Sequence, residues 1–451
     1  MNFFLNFLHG LLGIAVILGI AFLLSNNKKR INWKLVFSGL AIQITFAIFI
    51  IKGDQLAQFF SPLGWPKEFF RFLSSLFVLI LQFTTEGSKF VFGSLGLGPG
   101  NEGSLGVFFA FQVLPTIIFF GTLMSVLYHL GIMQKIVQGM AWIMARLMGT
   151  SGAESLSNTA NIFVGQSEAP LMIKPFIKGL TQSELLTIMA GGMATIAGGV
   201  MAAYIQMLGQ SFATSMNITI HEAQLLFATH LLGASVMAAP ASLLISKIII
   251  PEIGEPETKG KVKVNVEKTS SNVIEAAAAG ASDGMQLAIN VAAMLIGFIA
   301  IISLLNYLLG QIGDVTGLNA YLMSNFKQTL SFQFLFGSIL QFLAFSIGVP
   351  WDSAYYFGSL LGTKVVLNEF VAYLDMSKLI ELKSLTNPKA ILMATYALCG
   401  FANFSSIAIQ IGGISPLAPE RRGDLAKLGI RALIAGTLAT LLTATLAGIM
   451  A

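Results

Sequence analysis

At 451 residues, 55% of them hydrophobic and 10% charged, with a mean hydropathy of +0.78, the chain is too apolar for a water-soluble globular fold and reads as an all-α polytopic membrane protein. Its apolar runs of about twenty residues suit spanning helices, and the alternating pattern of a membrane β-barrel is absent. The net charge of +5 comes from basic residues scattered rather than gathered into a nucleic-acid patch, and a single cysteine, Cys399, excludes an internal disulfide or a thiolate metal cluster.

Residues Met1 to Leu24 lack the basic start and small-residue cleavage site of a secretory signal, so they are expected to stay as the first span, Phe4–Leu24. A basic turn, Asn26 to Arg30, leads to the second span, Trp33–Ile51. Pro62 to Pro66 ends that hairpin. Lys67–Phe92 carries Lys67, Glu68, Arg71, Glu86 and Lys89 along an apolar run, a pattern that predicts an interfacial helix rather than a span. After a glycine-rich loop, Gly93–Gly106, come a third span (Val107–Leu130), a short amphipathic piece (Gln134–Met148) and a re-entrant hairpin over Ser151–Gly179. The fourth span, Glu184–Leu208, is broken around Thr195–Gly199, and the fifth covers Glu222–Ser246. Pro251–Asn272 is a polar linker by composition. Val273–Gln286, Ala-rich with Glu275 and Asp283, is predicted at the interface. The sixth span, Leu287–Leu309, a second hairpin over Gly348–Lys383, and spans seven (Lys389–Ile414) and eight (Leu425–Met450) complete the chain.

The hairpins carry the signal. Asn161 to Leu171 sets Gln166, Ser167 and Glu168 between Gly165 and Pro170 in otherwise apolar sequence. A carboxylate at bilayer depth costs about 2.5–3.5 kcal/mol on insertion scales, so Glu168 should face a cavity, a partner or a ligand. Leu367 to Tyr373 repeats the pattern with Asn368 and Glu369, downstream of Gly348-Val349-Pro350. Each tip is followed by a small-residue break, Gly191 to Gly199 in the first half and Cys399 to Ser406 in the second. Broken apolar segments at matching places in two halves point to the midplane site of a secondary transporter. Most Lys and Arg residues, including Lys28, Lys29, Arg30, Lys34, Lys135, Arg146, Lys174, Lys178, Lys247, Lys259, Lys261, Lys263, Lys268, Arg421, Arg422, Lys427 and Arg431, fall on one side if eight spans leave both ends outside and the hairpins enter from opposite faces.

Opposed tips make a small polar pocket. Gln166, Ser167 and Asn403 offer donors and acceptors, two carboxylates can accept paired sugar hydroxyls, and no basic side chain in the tips would match a phosphate, which favours nucleosides or sugars over nucleotides. Cys399 is expected as a small packing residue within a helix. Asp352 is expected as a helix N-cap, Asp375 and Glu381 in a wetted hairpin arm, and the alternative for Glu369 is an ion pair with Lys364 or Lys378. The four histidines, His9, His129, His221 and His230, have no metal-ligand spacing.

Three blocks, Asn161–Leu171, Asn368–Tyr373 and Cys399–Gly413, resemble the signature stretches of the concentrative nucleoside transporters, and the resemblance runs through essentially the whole chain. It implies a homotrimer in the bacterial inner membrane. Residues 1–130 would be scaffold helices with an interfacial helix, 131–250 the first transport repeat, 251–310 linker, interfacial helix and sixth scaffold span, and 311–451 the second repeat. Nucleoside would be taken inward with sodium or protons by an elevator motion. The resemblance puts Gln166 and Ser167 on the nucleobase, with Glu168 beside them through water, Val200 and Phe401 against the base, and Glu369, Asn403 and Ser406 on the ribose. Serine at 167, where many members carry threonine, leaves the base preference open. Asn161, Val164, Thr195 and Ile196 match the family's sodium site, and retention of the Asn and Thr pair favours sodium over the proton-coupled alternative. Two readings of other classes remain: a membrane-embedded hydrolase using the two carboxylates as acid and base, and a passive pore.

Overall fold

The computed structural model describes residues 3–98, 101–106, 108–260, 270–326 and 328–451. The start of the expected third span at Val107, part of the glycine-rich loop, and Lys261, Lys263 and Lys268 of the linker lie outside the described residues.

In chain order the helices are α1 (Phe3–Leu23), α2 (Trp33–Phe59), α3 (Trp65–Phe92), α4 (Phe109–Gln112), α5 (Leu114–His129), α6 (Ile132–Met148), α7 (Gly152–Ala160), α8 (Gln182–Ala194), α9 (Gly198–Met216), α10 (Ile220–Ile249), α11 (Val273–Val315), α12 (Leu318–Phe326), α13 (Phe332–Ser346), α14 (Trp351–Val366), α15 (Glu369–Glu381), α16 (Pro388–Leu398), α17 (Phe404–Ile414) and α18 (Arg422–Met450). The segment from α6 to α10 has a counterpart from α13 to α18. A short lead-in helix (α6, α13) precedes a hairpin (α7 with the 3-10 run Ala169–Gly179; α14 with α15). A span broken into two half-helices (α8–α9, α16–α17) and a continuous helix (α10, α18) follow.

Local sequence explains the breaks. Ser151, Thr181 and Thr219 each cap the next helix reciprocally with a glutamate three residues on. Asn368, Asn387 and Asn403 accept first-turn amides at the starts of α15, α16 and α17, so the second hairpin arm and both half-helices of the second repeat begin on side-chain caps. Gly400 lies at φ +153°, and a Cβ there would come within 2.7 Å of the Ala194 carbonyl oxygen. The two broken spans therefore touch at their breaks, where only glycine fits.

The repeat helices form the core. Within their most apolar stretches α8–α9, α10 and α18 are 83–100% buried, whereas α1, α2, α3, α5 and α11 are 22–33% buried, so the latter form a frame with faces left for lipid or for other chains. At the base of the first hairpin, Lys247 of α10 meets Glu154 at 2.8 Å and Glu252 at 3.1 Å and donates to Ser183 at 3.0 Å, while Ser151 donates to Glu184 at 2.5 Å. This network binds α7, α8 and α10 into one piece. Arg421 ties in the second repeat through the Leu180 and Lys178 carbonyls at 2.6 and 2.9 Å.

By length and composition α3 could cross a membrane. Contacts settle the orientation of α3. Residues Gly39 and Gly233 meet Leu244 and Ile50 respectively, so α2 and α10 run antiparallel with Gly53 level with His230. Lys67 lies against Gly53, yet Ser74, a roughly 10 Å stretch of helix later, accepts from Thr229 at 3.1 Å. Over that length α3 makes almost no progress along α10. It lies across the bundle, as an interfacial helix does, and the eight spans are α1, α2, α5, α8–α9, α10, α11, α16–α17 and α18.

Four expectations need correction. The separate interfacial piece at Val273–Gln286 does not exist: α11 is one helix of 43 residues, because its alanines favour helix, nothing breaks it, and Gly280 and Gly284 let it close onto the α5 backbone. The domain division at 310/311 consequently falls inside α11. Asp352 is not an N-cap. Pro350 occupies that place and Asp352 sits in the first turn, accepting from the Ser353 hydroxyl at 2.9 Å. Cys399 is not within a helix but caps the end of α16, buried with its thiol 3.8 Å from the Leu231 carbonyl oxygen.

Candidate functional site

The two tips and two breaks converge on one cavity of about 160 Å³. Its lining includes all eight residues expected to contact substrate: Gln166, Ser167, Glu168, Val200, Glu369, Phe401, Asn403 and Ser406. Their positions follow from the capped half-helices. Asn403, as N-cap of α17, accepts from the Ser406 amide at 2.9 Å and the Ser405 hydroxyl at 2.7 Å, which fixes its carbonyl and leaves its NH2 to face hairpin 2. That NH2 donates to Glu369 Oε2 at 3.1 Å, while the Tyr204 hydroxyl donates to Oε1 at 2.9 Å. These donors use only part of the carboxylate's acceptor capacity, and the remainder is open to the hydroxyls of a ligand.

Hairpin 1 is joined to the same network. Gln166 Nε2 donates to Ser406 Oγ at 3.1 Å, and Gln166 Oε1 accepts from Gln410 Nε2 at 3.0 Å. Gln410 also donates to the Met189 carbonyl at 2.9 Å, behind the cavity. Glu369 makes no ion pair with Lys364 or Lys378 among the described residues, so that alternative is set aside.

The wall opposite these polar groups is apolar: Leu287, Val291, Met294 and Leu295, all on α11. Every polar side chain lining the cavity belongs to the repeat core and the frame supplies only hydrocarbon. A second cavity of about 370 Å³ shares Gly165, Glu168, Ala197 and Leu287 with the first and extends between α5, hairpin 1 and α11 past Asp283 to His129 and Ser270.

Tyr204 and Gln410 are site residues that sequence reasoning missed. Tyr204 is one turn beyond Val200 on the same face of α9, a spacing that could have flagged it. Gln410 stands one turn after Ser406, within a block already noted.

The segments that carry the four expected ion ligands also touch. Asn161 closes α7, Thr195 closes α8, and the Gly198 amide donates to the Phe163 carbonyl at 3.1 Å, which joins the tip of hairpin 1 to the break of the fourth span. Both polar side chains direct their donors backwards, Asn161 Nδ2 to the Ser157 carbonyl at 3.0 Å and Thr195 Oγ1 to the Gly191 carbonyl at 2.9 Å. Asn161 Oδ1, on a residue only 1% exposed, has no hydrogen-bond partner among the described residues. An all-oxygen set with an orphaned buried acceptor fits a monovalent cation, since unwound carbonyls at half-helix ends are the usual ligands in transporters.

Comparison with known proteins identifies the family. Residues 12–95 and 230–448 match the N- and C-terminal parts of the Na+ dependent nucleoside transporter family, and 110–211 match the nucleoside recognition gate. An uncharacterized transporter of Haemophilus influenzae is 43% identical over 99% of this chain and 98% of its own. The chain belongs to the Na+ dependent nucleoside transporter family. The rat sodium/nucleoside cotransporter 1 is 39% identical to this family member over 97% of the chain, which spans 63% of the rat protein. CNTnw in an inward-facing substrate-bound state superposes with a TM-score of 0.84 at 38% identity, covering 99% of this chain and 98% of that one. An outward-facing CNTnw variant superposes with a TM-score of 0.83 at 37% identity, over 98% and 97%. The homologues are transporters, not enzymes, and the hydrolase reading is dropped.

Proposed function

We propose that this family member imports uridine and related nucleosides together with sodium, by an elevator motion of the repeat core against the frame. The observation that carries it is the division of the cavity. Its polar contacts all travel with the two repeats, while α11 offers a smooth apolar face past which they can slide. Gln166, Ser167 and, through water, Glu168 take the nucleobase, Val200 and Phe401 flank it, and Glu369, Asn403 and Ser406 hold the ribose. Asn161, Val164, Thr195 and Ile196 take the sodium ion. The second cavity serves as the inward exit, consistent with the basic loops on that side. A homotrimer in a bacterial inner membrane with both termini outside completes the proposal, supported by the poorly buried frame helices. A proton-coupled symporter is the competing version.

Uptake of labelled uridine into proteoliposomes tests it. An inward sodium gradient should drive accumulation above the equilibrium level. Uptake that stops at equilibrium under every imposed gradient would mark a passive pore instead.

Base preference should depend on Ser167. A Cβ built on Gly413 comes within 3.1 Å of the Ser167 side chain, so the extra methyl of Ser167→Thr has no room on that side and must project into the cavity. Competition of adenosine against uridine should shift towards uridine by about 1–3 kcal/mol at most. An unchanged competition profile removes Ser167 from selectivity.

A further inference from the structure

Lys364, in the first arm of hairpin 2, is a cation buried at bilayer depth that the site described above does not use. Its side chain is wholly buried, and its Nζ donates to the Ala397 carbonyl at 2.7 Å and to Thr440 Oγ1 at 3.2 Å. The Thr440 hydroxyl donates onward to the Thr437 carbonyl at 3.0 Å, so it meets the ammonium as an acceptor. None of the described ion pairs includes Lys364. A buried ammonium without a paired carboxylate is costly, so compensation must come from its surroundings. Ala397 lies in the last turn of the half-helix α16, whose carbonyl end carries partial negative charge, and Glu369 is near enough to interact with the ammonium electrostatically.

The internal repeat gives this placement a meaning. Asn158 and Lys364 each stand two residues before the end of their arm, at Ala160 and Val366. Each bridges the corresponding three elements of its repeat: Asn158 donates to the Thr187 carbonyl of α8 and accepts from Ser242 of α10, as Lys364 reaches α16 and α18. Ser157 and Thr363, one residue earlier in each arm, are both buried hydroxyls without partners among the described residues, an independent sign that the arms are in register. The short Asn158 reaches the Thr187 carbonyl and lies beside Gly191, short of Thr195, which closes α8, and it carries no charge to the end of that half-helix. The long Lys364 reaches the end of α16 and covers it.

We propose that the Lys364 ammonium is the tethered counterpart, in the second repeat, of the sodium ion in the first. Hairpin 2 is then held permanently in the charged form that receives ribose at Glu369, hairpin 1 waits for its ion, and one sodium accompanies each nucleoside. This rests on the sodium assignment made above.

Uridine binding to the purified protein, measured by calorimetry over a range of NaCl balanced with choline chloride, tests it. The unmodified protein should depend on sodium with a Hill slope of one; a slope of two overturns the proposal. Lys364→Gln keeps a donor for the Ala397 carbonyl but removes the charge, and should bind uridine about tenfold or more weakly at fixed sodium. Lys364→Ser makes room for a free cation; its Hill slope should rise towards two, with affinity recovering at high sodium and not at high choline. A slope that stays at one without recovery overturns the equivalence. Lys364→Gln binding within about twofold of the parent, with the parent still sodium-dependent, would leave Lys364 a structural hydrogen-bond donor only. If the parent itself is indifferent to sodium, the ion in the first repeat is lost and its tethered counterpart with it.

Discussion

Glu369→Gln is expected to lower uridine affinity by about tenfold or more, a loss of about 1–3 kcal/mol, without unfolding the protein. The variant can keep its neighbours: its amide oxygen can accept from Asn403 and its NH2 can donate to Tyr204, whose hydroxyl rotates to accept. What it cannot keep is the charge and the second oxygen acceptor that paired ribose hydroxyls would use. Asn403→Ala should cost as much for a different reason, since it removes the amide facing Glu369 and also the N-cap of α17. Deoxyribonucleosides should lose less than ribonucleosides in both variants, because the missing hydroxyl was the one left unsatisfied. Calorimetry on detergent-solubilised protein, alongside melting curves, separates binding from stability. Parental uridine affinity in Glu369→Gln would move the ribose away from hairpin 2.

The tips were legible in the sequence because the bilayer makes polar groups and helix breaks costly. Glu168 and Glu369, each within two residues of an amide and each followed by a small-residue break, had no structural excuse in an apolar run, and the cavity collects both. Tyr204 and Gln410 were hidden for the opposite reason. One aromatic or amide in a helix interior looks like ordinary packing until its partner is known, and both partners are far off in sequence, Glu369 for the one and Gln166 for the other. Composition misled at Val273–Gln286, where Glu275 and Asp283 suggested an interface. The first residues of α11 instead run continuously into the span, with Asp283 facing the second cavity. The lead-in helix α13 was missed altogether. It bends by 119° into α14, and its run of phenylalanines gives no polar face by which to recognise it as the counterpart of the amphipathic α6.

Thr195→Val is expected to raise the sodium concentration needed for half-maximal uridine uptake by about tenfold, with expression and melting temperature little changed. Valine keeps the shape of threonine. The lost hydroxyl donates to the Gly191 carbonyl within its own helix, so the structural cost is limited to one local side-chain hydrogen bond. Its lone pairs are another matter, for they stand at the end of α8, at the break that joins the tip of hairpin 1 through the Gly198 amide and the Phe163 carbonyl. An ion bridging α8 and the turn after α7 would order the tip that carries Gln166 and Ser167. Sodium and uridine should therefore each raise the other's affinity by the same factor, and Thr195→Val should shrink that factor in both directions. The decisive contrast is between proteoliposomes given a sodium gradient and proteoliposomes given only an inward proton gradient. Full accumulation in the second, with the Thr195→Val variant behaving as the parent, would sink the sodium assignment. Coupling would then pass to a protonatable group, and Glu168, which lines both cavities, is the first candidate.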